Sequence, residues 1–105
     1  MANPWSGEVR LQLDGQPHDL KLTLGALAEL EGELDNETVL DLIERFETGK
    51  FSTRDVLALI VAGLRGGGWA GTAKDLLSVE ITGGLMEATK VAAQLLARAF
   101  VMGET

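Results

Sequence analysis

The chain contains no cysteine, which excludes disulfides, thiolate metal sites and a cysteine nucleophile. Histidine occurs once, at His18. A lone imidazole builds no metal site without carboxylates arranged around it, and no second ligand stands at helical or strand spacing from it. His18 is therefore read as a structural or solvent-facing residue at the tip of a predicted hairpin. Bases are scarce: nine Lys and Arg oppose sixteen Asp and Glu, for a formal net charge of −7. A phosphate backbone would meet a repulsive field, so nucleic acid is not expected as a direct partner. No stretch approaches the roughly 20 apolar residues of a membrane span, and residues 1–7 lack the basic start and apolar run of a secretory signal. A membrane partner is not expected, and the cytoplasm is the expected compartment. No Gly-x-Ser-x-Gly turn is present, and the serines and threonines fall at predicted caps and turns. The sequence thus predicts neither an enzyme nor a cofactor, and it shows no internal repeat or low-complexity tract.

What is present suits one compact domain. The 105 residues are 46% hydrophobic and 24% charged, the balance of a globular chain large enough for a single core. From Glu8 to Leu13 the residues alternate, with Val9, Leu11 and Leu13 on one face. Asp14-Gly15-Gln16-Pro17 supplies turn chemistry. A second alternation then places Leu20, Leu22 and Leu24 against Asp19, Lys21 and Thr23. A loop of two or of four residues would connect the strands, and either register puts both leucine rows on one face. An isolated hairpin is marginal in water, so helices must cover that face.

The period then changes to about 3.6. Leu24, Leu27, Leu30 and Leu34 predict a first helix over roughly 24–34. Asn36 or Thr38 is a candidate cap for a second, carrying Val39, Leu42, Ile43 and Phe46 and stopped by Gly49. Ser52-Thr53-Arg54-Asp55 has capping-box form ahead of the run Val56 to Leu64, a helix apolar nearly all round and expected at the centre of the core. Gly66-Gly67-Gly68 reads as a flexible break, since neither Lys-Ser nor Lys-Thr follows to make a phosphate loop. Thr72-Ala73-Lys74-Asp75 repeats the capping pattern before a short helix to about Ser78. After Gly83-Gly84, an alanine-rich helix runs from Leu85 to Val101 with Leu85, Ala88, Ala92, Leu95, Leu96, Ala99 and Phe100 as its stripe. The expectation is an α+β, mostly α-helical single domain over 1–105: a flexible N-terminus over 1–6, a β-hairpin over 7–23, and four to five helices over 24–101.

Two features invite a functional reading. Glu29, Glu31, Glu33, Asp35 and Glu37 form an acidic stretch, but alternate residues of a helix point about 200° apart and do not converge as catalytic or metal-binding carboxylates must. A solvated face is expected there, with no catalytic or metal site. Trp69, in a glycine-rich segment, either folds back as a lid on the core or lies exposed for a partner. The final helix, with Met86, Phe100, Val101 and Met102, either packs on the core or offers a strip to another chain. These five residues are the candidate protein-binding set.

Gly7-Glu8-Val9, Leu13-Asp14-Gly15 and Leu22-Thr23-Leu24-Gly25-Ala26-Leu27-Ala28-Glu29-Leu30-Glu31 resemble the opening of the gene transfer agent family also described as phage tail assembly chaperones. Arg45-Phe46, Phe51-Ser52-Thr53-Arg54-Asp55-Val56-Leu57 and Ala62-Gly63-Leu64-Arg65-Gly66-Gly67-Gly68 resemble its middle section. The likeness covers roughly residues 7 to 100 and lies in the order of these segments. It implies a protein that binds the tape measure protein and keeps it soluble while a tail is built, in the cytoplasm during particle assembly. Self-association stays open. A structural tail component, such as a tube or terminator subunit, and a small regulatory protein-binding domain are the alternatives; one hairpin is little sheet from which to build a tube.

Overall fold

A computed structural model describes residues 7–34 and 37–100. The expected flexible segment 1–6, the candidate cap Asn36, Asp35 of the acidic stretch, and Val101 and Met102 lie outside the described residues. The architecture is the expected one, an N-terminal β-hairpin packed on five helices around a single apolar core. No polar or charged side chain is buried among the described residues.

Strands β1 (Val9–Leu13) and β2 (Gln16–Leu20) pair antiparallel with Leu13 opposite Gln16 and Val9 opposite Leu20. The loop is therefore the two-residue one. Asp14 and Gly15 both take positive φ, 51° and 79°, the mirror-image turn whose twist matches the strands. This register moves His18 off the tip: it stands opposite Leu11, mid-strand and half-buried. Pro17 falls opposite Gln12, one step from the hydrogen-bonded pair that closes the loop, where no ladder bond requires its missing N–H. The outer edge of β1 is covered as well. The Asp14 amide donates to the Glu80 carbonyl at 2.8 Å, the Thr82 amide to that of Gln12 at 3.1 Å, and the Glu80 amide to Asp14 Oδ1 at 2.9 Å.

The second leucine row does not continue as strand. Thr23 caps helix α1 (Leu24–Glu33), accepting the Ala26 amide at 3.0 Å. Leu24 becomes the first helical residue and stands 87% exposed, while Ala26 takes the inward position with Leu30 and Leu34. The expected stripe was thus one residue out of phase at its start. Thr38 caps α2 (Val39–Thr48), Ser52 caps α3 (Thr53–Gly66) and Thr72 caps α4 (Ala73–Leu76); each is a complete capping box, closed by Asp41, Asp55 and Asp75 respectively. Helix α5 (Gly84–Phe100) buries Ala88, Val91, Ala92, Leu95 and Leu96, whereas Leu85, placed on that stripe by the sequence pattern, is 52% exposed.

Helix α3 is the central element, packed against α1, α4, α5 and β2. Its C-terminal glycines make that closeness possible. A Cβ on Gly66 would fall 1.9 Å from the Lys21 carbonyl oxygen, and one on Gly67 would fall 1.9 Å from that of Asp19. Only hydrogen fits between helix and strand backbone there. Gly66 and Gly67 are a close-packing device rather than the flexible break expected, while Gly68 has open space around it and takes a φ of 104° that favours glycine. The segment is further fixed by the Lys21 amide on the Gly63 carbonyl at 2.9 Å and the Trp69 amide on that of Leu64 at 2.9 Å.

Candidate functional site

With the core wholly apolar, any site lies on the surface. A groove of about 1330 Å³ runs along α3. Helix α3 is apolar nearly all round, yet only part of that circumference is covered. Leu57, Ala58 and Val61 stay half-buried and form the groove floor with Leu30, Leu34 and Ala62. Helices α1 and α4 both pack on α3 and line the groove as its two sides. From the α4 side Leu77, 71% exposed, adds a further apolar surface.

Ion pairs tie neighbouring segments to the two ends of α3. At one end Arg65 Nε donates to Glu29 Oε1 at 2.8 Å and Arg65 Nη1 to the Gly71 carbonyl at 3.0 Å. At the other, Arg45 forms a two-point pair with Asp55, 3.0 Å on each oxygen, and also bonds Glu37. Glu29 of α1 thus lies by the C-terminus of α3, while Glu37, just ahead of α2, meets Arg45 near the N-terminus of α3. Glu29, Glu33 and Glu37, spaced by four, all line this one groove. The described acids of the stretch, Glu29, Glu31, Glu33 and Glu37, are all exposed, the solvated face expected. Glu31 stands apart from the groove, its carboxylate accepting the Val39 amide at 3.0 Å at the start of α2, where the helix dipole favours an anion.

Asp55 is the most enclosed of the groove charges, its side chain 13% exposed beside an Arg45 that is 23% exposed. Burial pushes its carboxyl up, but the Arg45 hydrogen bonds and charge and the Ser52 amide outweigh that and hold it below the usual range. The bond to Asp55 in turn raises Arg45 above the ordinary arginine value. Asp41 is lowered chiefly by the Thr38 amide of its capping box. None of these groups sits in an enclosed pocket with a nucleophile; they are fasteners that set the groove's shape. Among the described residues no cluster of three His, Asp or Glu is placed to hold a metal ion, and no helix is long and apolar enough to cross a membrane.

The residues singled out from the sequence lie elsewhere. Trp69 is half-buried against the core, with its ring over Gly71, where a Cβ would come within 2.2 Å of the indole. Met86 is 86% and Phe100 37% exposed; fourteen residues apart, they are separated by about 21 Å along α5 and mark its two ends. The groove was missed because its lining comes from α1, α3 and α4, and the available signal was that α3 has more apolar circumference than its neighbours cover.

The family model described as phage tail tube protein, GTA-gp10, matches residues 6–102. No curated protein and no solved structure is matched.

Proposed function

The chain belongs to the gene transfer agent family of phage tail proteins described as tail tube protein, GTA-gp10, and from that premise we propose that it is a tail assembly chaperone. It binds helical segments of the tape measure protein and keeps them soluble until tube subunits polymerise around them. The observation that carries this reading is the groove, whose apolar floor along α3 is bounded on both sides by other helices. An apolar floor between two helical sides is the geometry that receives the apolar face of an amphipathic helix. The floor from Arg54 to Arg65 is about 16 Å long, three helical turns.

A contact of three turns is short for a lasting complex. Each grip is then weak and exchangeable, as a holder that must later leave requires. The net charge of −7 keeps coated segments apart. Binding alone accounts for this role, and no catalytic step is part of it.

The family description itself favours a second reading, a structural subunit of the tube. Tube rings need extended sheet, and the described residues hold one two-stranded sheet and a single bridge from Leu13 to Ile81. Co-expression with the tape measure protein separates the readings. Increased tape measure solubility and co-purification are expected; unchanged solubility would remove the chaperone role. Recovery of the chain as a stoichiometric ring in finished particles would support the tube subunit instead.

A further inference from the structure

The charge of the protein is not shared evenly between the groove and the remaining surface. Five of the nine bases line the groove, namely Arg45, Lys50, Arg54, Arg65 and Lys74, against only four of the sixteen acids. A chain that is strongly acidic overall therefore carries a groove that is slightly basic. Much of that charge is internally matched, since Arg65 holds Glu29 and Arg45 holds Asp55 and Glu37. Among the described residues Glu33, on the α1 side, keeps no ion-pair partner, and neither does Lys74 on α4, nor Arg54 and Lys50 at the N-terminal end of α3. All four are exposed.

We infer that the groove selects an amphipathic helix about three turns long whose apolar stripe is bordered by acids on one flank and by a base on the other. The acids meet Lys74 on α4 and the base meets Glu33 on α1, while Arg54 and Lys50 add positive charge at the N-terminal end of α3. This rests on the reading that the groove is the binding site, and it adds the chemistry of the occupant. A uniformly basic helix, the partner that a net charge of −7 would suggest, is disfavoured because it sets like charges against Lys74 and Arg54 at short range. Long-range attraction falls off within about 10 Å at 0.1 M salt, whereas contacts at the rim act inside that distance. Opposite flanks also fix the direction in which the helix lies, because reversing it exchanges the two rows.

The test uses the full chain and three helix-stabilised 15-residue peptides sharing one leucine–alanine stripe, flanked by Glu on one side and Lys on the other, by Lys on both, or by Glu on both. Fluorescence anisotropy at 0.1 M salt should show the mixed peptide bound at least about fivefold more tightly than the all-Lys one, the sum of a few rim pairs. Lys74→Glu and Glu33→Lys, both at exposed positions, should each weaken the mixed peptide roughly threefold; Lys74→Glu should also tighten the all-Lys peptide. Leu77→Asp should weaken all three peptides while the circular dichroism is kept.

Equal or tighter binding of the all-Lys peptide overturns the inference, as does binding indifferent to Leu77→Asp or binding of no peptide. A concentration-dependent dimer abolished by Leu77→Asp would identify a second copy as the occupant and overturn it too. If the tape measure protein co-purifies but no charge preference appears, this inference falls and the chaperone reading stands; the reverse pattern removes the chaperone reading.

Discussion

Glycine has opposite meanings at different points of this chain, and the same substitution separates them. At Gly66 an added methyl group would lie 1.9 Å from a backbone carbonyl oxygen, and neither helix nor strand can yield without breaking the Lys21–Gly63 bond. Gly66→Ala is expected to cost about 3 kcal/mol or more, the upper range for overpacking, and to lower the melting temperature by roughly 15 °C in a domain of this size. Gly32 in α1 has open space where a Cβ would go. There Gly32→Ala should stabilise by about 0.5–1 kcal/mol, because the helical backbone is kept and the unfolded chain loses freedom. Thermal unfolding of the pair checks both signs; equal shifts would refute the close approach of α3 to β2. Trp69 makes a related point, since its half-buried ring covers Gly71 and anchors the turn between α3 and α4.

At the scale of elements, three capping boxes start three helices, and that of α3 does more than end a backbone. Asp55 closes it on the Ser52 amide at 2.9 Å while holding Arg45 of α2. Its folded-state pKa is depressed, so its contribution is present above the unfolded aspartate value of about 3.9 and is lost as pH falls through the lower folded value. Asp41 acts in the same sense. Arg45, raised, contributes fully below the ordinary arginine range and adds no pH dependence near neutrality. Stability should therefore hold level from neutral pH to about 4 and fall below it. Asp55→Asn should cost about 2 kcal/mol at pH 7 and reduce the acid-side slope, measured by urea unfolding at successive pH values. An unchanged slope would show that the pair contributes nothing to acid sensitivity.

Over the whole molecule the elements are unequally secured. Helix α3 is held from several sides, whereas α4 is a single turn, Ala73–Leu76, with Leu76 its one buried residue. Native-state hydrogen exchange should find the slowest amides in α3 and the β1–β2 ladder and the fastest helical ones in α4. Because α4 forms one side of the groove, a bound helix should slow exchange in α4 more than in α5. Equal slowing of both would place the contact elsewhere, with the exposed ends of α5 at Met86 and Phe100 the next surface to examine.

The hairpin, the helices and their caps were legible in the sequence because each is written in residues close together: the alternation from Val9 to Leu13, the hydroxyl three positions ahead of an acid, the apolar run from Val56 to Leu64. The family was legible for the same reason, in the order of short segments. Burial at boundaries was less so, as Leu24 and Leu85 show, since a period of two or of 3.6 does not say where one gives way to the other. The groove was beyond local pattern altogether. Glu29 and Glu33 border it because α1 packs on α3 with Glu29 held by Arg65, and Lys74 joins them because α4 packs on the same helix. Which charges face one another depends on contacts between residues far apart along the chain, and packing alone brings those together.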